Sequence, residues 1–402
     1  MPANLRVIRT ALGVALCLGV ISCGGGGSYS PAPPAPPTGG NTVAVIVDEG
    51  PSNNSVNTLF TSVTVCVPGS TTSCQTIDHI QVDTGSYGLR VLSTVLSLTL
   101  PKQMAASGSP LVECTQFVDG YAWGPVELTD MTISGESAKS MPIQVIGDPN
   151  YTTVPSDCSS TGSAEDTVTT FGANGILGIG PFALNCPLCA MQVVPATYYS
   201  CATPSTCVGT VAAEDIQEPN PVTLFATDNN GVILDMPAVT STGQLNVTGT
   251  LIFGIDTQSN NASGTQTVFN VNGNAEMTMT FDGQMLNQSF IDSGSNGIFF
   301  TSNISPCAGS LTSFYCPGST LSLTVSLQGT NGTMINNVPF MIGNAQTMLT
   351  NNPTFNAFPT LGGTNPNAQS FDYGLPFFYG KRVAVAVENF KTTVGTGPYI
   401  AY

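Results

Sequence analysis

Short runs of alternating or β-branched apolar residues, each closed by Gly, Pro, Asn, Asp or Ser, recur along this chain and predict strands almost throughout. The clearest are Thr42 to Val47, Leu59 to Val67, Ile80 to Val82, Met131 to Ile133, Leu251 to Phe253 and Leu321 to Leu327. Asp228-Asn229-Asn230-Gly231 before Val232-Ile233-Leu234 reads as a hairpin signal. Long stretches with helical spacing are scarce, so the predicted fold class is all-β. The polar tracts Thr257 to Thr265 and Asn351 to Ser370 read as surface loops without chemistry.

One apolar run breaks this pattern. Arg6 and Arg9 precede an uninterrupted stretch from Ala11 to Ile21, too short to span a bilayer as a helix, and it ends Val20-Ile21-Ser22-Cys23. It resembles a bacterial lipoprotein signal, with residues 1–22 removed and Cys23 carrying the lipid; an ordinary cleaved signal that leaves a free Cys23 is the alternative. Residues 23–41 then read as a tether, flexible through Gly24 to Gly27 and stiff through the prolines from Pro31 to Pro37. The expected location is the cell envelope, exported and held to a membrane through Cys23, with the membrane and leaflet left open.

Composition narrows the chemistry. Setting aside Cys17 and Cys23 leaves ten of the 12 cysteines, an even number that suits an oxidising compartment. Short loops suggest Cys66 with Cys74, Cys201 with Cys207 and Cys307 with Cys316, while Cys114, Cys158, Cys186 and Cys189 stay open. The spacing of Cys186, Cys189, Cys201 and Cys207 also fits a thiolate zinc site, but structural bridges are the preferred reading, and neither a metal nor a cofactor is expected. Without Arg6 and Arg9 the chain keeps 6 basic against 24 acidic residues, a formal charge of −18, which argues against a nucleic-acid partner. The single histidine, His79, would have to serve every Ser-His-Asp or Cys-His mechanism. It is read as a strand residue with an ordinary partner, although on an ideal strand it shares a side with Asp83.

Carboxylates remain, and they are duplicated. Val82-Asp83-Thr84-Gly85-Ser86-Tyr87-Gly88-Leu89 recurs 209 residues later as Ile291-Asp292-Ser293-Gly294-Ser295-Asn296-Gly297-Ile298, with four positions identical and three conservatively replaced. In each copy an apolar strand residue leads into Asp, a hydroxyl follows, and Gly permits a tight turn. If the two turns face each other, Asp83 and Asp292 cannot both ionise and hold one proton between them.

These repeats resemble the two active-site motifs of pepsin-like aspartic peptidases, and further segments match over about residues 42 to 400. Ile176-Leu177-Gly178 resembles the apolar-apolar-Gly segment behind the first aspartate, and Gly374, within Tyr373-Gly374-Leu375-Pro376-Phe377-Phe378-Tyr379, takes the second such place. Gly249 to Asp256 resembles the strand near the junction of the lobes. The resemblance implies a bilobal all-β fold with two pseudo-two-fold-related lobes, 42–250 and 251–402, about a central cleft. It also implies catalytic roles for Asp83 and Asp292. Thr84 and Ser293 would bond across the lobes, Ser86 and Ser295 would bond the outer carboxylate oxygens, and Gly85 and Gly294 would bring N–H groups close. The flap over the cleft falls near Phe117 to Pro125, with Tyr121 the first candidate for its key aromatic and Phe117 the second. Arg90 stands where the family has a flap-supporting Trp, and Asp372-Tyr373 replaces two apolar residues. The implied function is a monomeric, lipid-anchored endopeptidase acting on peptide or protein substrates between largely apolar residues. The alternative is a pepsin-like scaffold kept as a non-catalytic surface binding or structural lipoprotein.

Overall fold

The computed structural model describes residues 40–117 and 120–402. The expected signal segment, Cys23 and the tether up to residue 39 lie outside them. Among the described residues the chain is all-β, with sixteen strands in one sheet and seven in another.

The two halves repeat one strand arrangement around the duplicated turns. Cys74–Asp83 runs parallel to Gly175–Ile179, and Tyr87–Leu92 runs antiparallel on the other side of that strand. Gln284–Ile291 likewise runs parallel to Phe371–Tyr373, with Ile298–Phe300 antiparallel on its other side. The outer neighbours match too, since Tyr87–Leu92 is parallel to Glu136–Ile146 and Ile298–Phe300 is parallel to Gly362–Gly363. A chain that repeats this order strand for strand has two lobes related by a pseudo-two-fold, the bilobal pepsin-like architecture. Crossing strands leave no room for side chains behind the turns. A Cβ on Gly178 would lie 2.5 Å from Tyr87 N, and one on Gly374 would lie 2.2 Å from Gly297 O, so both positions require glycine.

Between the lobes, Thr42–Val47, Val247–Phe253, Gly231–Asp235, Arg382–Ala386, Tyr399–Ala401 and Val268–Asn270 pair in that order. All pairs are antiparallel. Buried on both faces, Val383, Ala384, Val385 and Ala386 form a continuous apolar run rather than an alternating one. Asn57 pins the lobes from the first half. It is fully buried, donates to Asn296 O at 2.9 Å and Phe358 O at 2.8 Å, and accepts from Phe358 N at 2.7 Å and the Tyr379 hydroxyl at 2.9 Å. Phe281, Phe300, Phe340 and Phe371 fill the second lobe, with Phe300 stacked on Phe371 at 4.9 Å.

The three short-loop disulfides form, and the other four cysteines pair as Cys114–Cys158 and Cys186–Cys189. Five bridges are compatible with an extracytoplasmic protein. No helix among the described residues is long and apolar enough to cross a membrane.

Two sequence expectations need correction. The turn at Asp228 to Gly231 does not join two strands: a 3₁₀ segment, Pro221–Leu224, precedes it, and the strand after it pairs with Val247–Phe253. The tract from Asn351 to Ser370 is not all surface, because Asn356, Ala357, Phe358, Thr360 and Leu361 are buried where Asn57 gathers hydrogen bonds. Its polar composition conceals main-chain and amide bonding, which does not register as hydrophobic periodicity.

Candidate active site

Both turns carry their aspartates to the seam between the lobes. Asp83 Oδ1 accepts from Gly85 N at 2.7 Å and Oδ2 from Ser86 Oγ at 2.6 Å. Asp292 Oδ1 accepts from Gly294 N at 2.7 Å and Oδ2 from Ser295 Oγ at 3.1 Å. Across the seam, Thr84 N donates to Ser293 Oγ at 3.1 Å, Ser293 N to Thr84 Oγ1 at 2.9 Å, and Ser293 Oγ to Val82 O at 2.9 Å. The two carboxyl groups share a side-chain hydrogen bond. A Cβ on Gly85 would lie 2.7 Å from Asp292 Cγ, and one on Gly294 would lie 2.5 Å from Asp83 Oδ1, so each glycine makes room for the other lobe's carboxyl. Both aspartates are only 3% exposed.

Burial, then Asp83, then Asp372 push the Asp292 carboxyl well above the usual carboxylate range, against the opposing N–H of Gly294. The shift favours a proton held between the pair, on the Asp292 side. Tyr87, four residues past Asp83, is buried with its hydroxyl held protonated by burial and by Asp83, Glu388 and Asp292. Gln81 reaches across the seam to donate to Gly294 O at 2.9 Å.

Sequence reasoning placed a cation at Arg90 without its partners. Arg90 is fully buried, and its Nη2 lies 3.0 Å from Glu113 Oε1 and 2.9 Å from Glu218 Oε2. Its other nitrogens donate to Tyr87 O at 2.7 Å and Thr115 Oγ1 at 2.9 Å. Burial opposes its charge, but Glu218 and Glu113 outweigh that and keep the guanidinium protonated. One cation faces two acids, and burial lifts Glu218 well above its ordinary range despite Arg90. Asn185 bonds Glu113, and the Tyr198 hydroxyl bonds Asn185. The strand that follows the Asp83 turn is therefore tied to the Leu111–Gln116 strand by the Arg90–Glu113 ion pair, and to Glu218 by a second. Glu113 and Glu218 had no local sequence signal, because nothing near them in the chain marks them as buried.

That strand and Gly120–Ile133 form the hairpin expected to be the flap. It is strapped by Cys114–Cys158, by Gln116 Nε2 donating to Asp157 O and Cys158 O at 2.9 Å each, and by Ser163–Ala164 pairing beside Tyr121. Phe117 is buried edge-on to Phe171 at 6.1 Å. Tyr121 lies half-buried against the cluster of Cys114, Trp123 and Tyr199, in which Trp123 meets Tyr199 edge-on at 5.2 Å. Phe117 thus packs against Phe171, outside the hairpin, and Tyr121 against Cys114 and Trp123 of the hairpin and Tyr199 beyond it; residues 118–119 of the hairpin lie outside the described part. His79 takes φ +48° at a bulge in its strand, so the ideal alternation toward Asp83 does not hold. Its ring faces Asp48 and Asp78 instead.

The acids set a pH dependence. Glu127 is pushed up to about 7 by burial and Asp148, against Lys102, and Glu136 is pushed up to about 7 by burial and Asp228. Asp292, Asp372 and Glu218 shift the same way. Groups raised in the folded state contribute stability that is fully present below their ordinary value near 4.5 and lost as pH rises through about 7. Asp130 and Asp256 shift the opposite way: burial raises them, but N–H donors from Ser140 and Ser263 outweigh it. Their contribution is lost only as pH falls below the ordinary 3.8. The melting temperature is therefore expected to be several degrees higher at pH 5 than at pH 8. Calorimetric scans that show a fall from pH 8 to pH 5 would contradict this.

No curated protein sequence matches the chain. Among solved structures, the crystal structure of aspartic proteinase from Irpex lacteus is similar at 14% identity and a TM-score of 0.47, over 90% of this chain and 96% of that one. The profile of a family described as "Protein of unknown function (DUF3443)" matches residues 37–402, a span that takes in all the described residues, and the chain belongs to that family.

Proposed function

We propose that this protein is an aspartic endopeptidase, and the observation that carries the reading is the pair of carboxyl groups, one from each repeated turn, bonded to each other at the seam. One member takes a proton from a water molecule while the protonated member polarises the scissile carbonyl, and the proton then passes to the leaving amine. No covalent intermediate is required. The substrate is an extended peptide with largely apolar residues around the cleaved bond, paired to the cleft as a strand. The enzyme works as a monomer at the cell envelope, tethered through lipidated Cys23.

The strapped hairpin favours a second reading, a binding scaffold with little turnover, because a lid must move to admit a chain. One assay separates the two. The protein is incubated with a denatured protein across pH 3 to 7, with and without a statine-type inhibitor, and new N-termini are counted. Inhibitor-sensitive cleavage is expected. Its absence at every pH would favour the scaffold.

A further inference from the structure

The second lobe holds a cavity of about 450 Å³ to which the peptidase reading assigns nothing. Phe340, Tyr373, Phe377 and the prolines Pro339, Pro359 and Pro376 make much of its wall, and Lys381 is the one charged residue among those that line it. Small-molecule sites have volumes of this order and the same composition, mostly apolar with a few polar groups that fix orientation. Tyr373 pairs with Ile291 on one side and Ile298 on the other, so the cavity stands beside the turn of the second aspartate.

Lys381 is out of keeping with that wall. In a chain of 24 acidic residues it has no carboxylate partner among the described residues. Asp235, across from the next residue, is taken by Arg382 at 3.1 Å. The ammonium instead lies 4.4 Å from the centre of the Phe377 ring and donates to Phe377 O at 2.6 Å. It is half-buried, burial pulls it below the usual lysine range, and no acid opposes that shift. Its main chain is fixed on both sides, because Lys381 N donates to Phe378 O and Lys381 O accepts from Met236 N, each at 3.0 Å. Tyr373 supplies a second polar group: it is 1% exposed, and its hydroxyl has no hydrogen-bond partner among the described residues. A desolvated cation and a buried donor each cost free energy unless something completes them.

We propose that this cavity binds a medium-chain fatty acid, its carboxylate bonded to the Lys381 ammonium and the Tyr373 hydroxyl and its chain laid against Phe340 and the prolines. An ammonium that spends one donor on Phe377 O has others free for an anion, and charge-assisted bonds are strong away from bulk water. The choice of ligand follows from what the wall lacks. No acid lines the cavity, so a cationic ligand would face Lys381 with nothing to offset the repulsion. A peptide end would bring several amide groups, and apart from Ser322 and Thr324 the wall offers them no further hydrogen-bonding side chain. A fatty acid brings one charged end and otherwise methylenes, each of which favours burial.

This inference stands whether or not the chain cleaves peptides. Decanoate titrated calorimetrically into the full chain at pH 7 is expected to bind with one-to-one stoichiometry. Decanol and decyltrimethylammonium should bind at least about tenfold more weakly, since a hydrogen bond to a charged group is worth that factor or more. Lys381→Met keeps the stem and removes the charge, so decanoate is expected to weaken about tenfold while decanol is unchanged. Tyr373→Phe removes only the hydroxyl and should weaken decanoate about threefold. Equal affinity of the wild type for decanoate and decanol would overturn the proposal without any variant, and so would no decanoate binding below its micelle-forming concentration. Tighter binding of N-acetylphenylalanine than of decanoate would give the site to a peptide end and overturn it. Unchanged decanoate affinity in Lys381→Met would put the fatty acid elsewhere on the molecule and overturn it as well.

Discussion

Asp83→Asn and Asp292→Asn are each expected to lower peptide-bond cleavage by at least about 10³-fold while the protein stays folded. The amide is nearly the same size as the carboxyl and still accepts from Gly85 N or Gly294 N, so the turn keeps its shape. What it cannot do is share a proton. With an amide on either side, no group both accepts a proton from water and presents one to the carbonyl. Asp292→Asn has a second signature: it removes an acid that burial pushes well above its ordinary range, so this variant should lose part of the wild-type stability gain between pH 8 and pH 5. Steady-state rates on one peptide, beside thermal melts at both pH values, make the test. Either variant retaining rates within tenfold of wild type would rule out the dyad mechanism.

Arg90→Met is expected to cost about 3–5 kcal/mol, which makes it the most damaging single change away from the dyad. The thioether fills the volume of the stem but leaves Glu113 and Glu218, 1% and 0% exposed, facing each other without a cation. Ion pairs in such places are weak evidence of net stability, since their own desolvation is costly, but removing one partner strands the others. Two companion measurements isolate that cause. Lowering the pH toward 4 should restore part of the loss, because the stranded acids then protonate. Adding Glu113→Gln and Glu218→Gln to Arg90→Met should recover most of it at pH 7. Denaturant midpoints are the readout, and an Arg90→Met protein as stable as wild type would mean that the triad carries no structural weight.

The features that could be read from residues alone were those in which backbone geometry dictates residue type. A turn that folds over a carboxylate needs a short polar residue and glycine in a fixed order, so the repeat was visible twice. Gly178 and Gly374 were visible for a related reason, because crossing strands exclude a Cβ there. Thr84, Ser293, Ser86 and Ser295 fall where the motif places them because each is within three residues of its aspartate. Features decided by distant packing were hidden. The hairpin is held by a disulfide across 44 residues and by a two-residue strand, so Phe117 and Tyr121 were legible as hairpin aromatics, but not the distant residues against which they pack. Arg90 announced an acid partner without saying which, since Glu113 and Glu218 come from segments that only the fold brings together. Asp372 was marked as out of place by its apolar counterpart, but its neighbours Phe290 and Phe299 emerge only from the pairing of three strands.

The seam between the lobes also sets an order in time. The strand Thr42–Val47 is made early and pairs on one side with a near neighbour, yet its other edge waits for Val247–Phe253, and the Asn41 amide bonds a carbonyl 212 residues farther along. Loop closure over that distance slows assembly, and until it happens an apolar strand edge stands open to other chains. Refolding yield should therefore fall steeply with protein concentration, because that edge needs shielding until the later strand arrives.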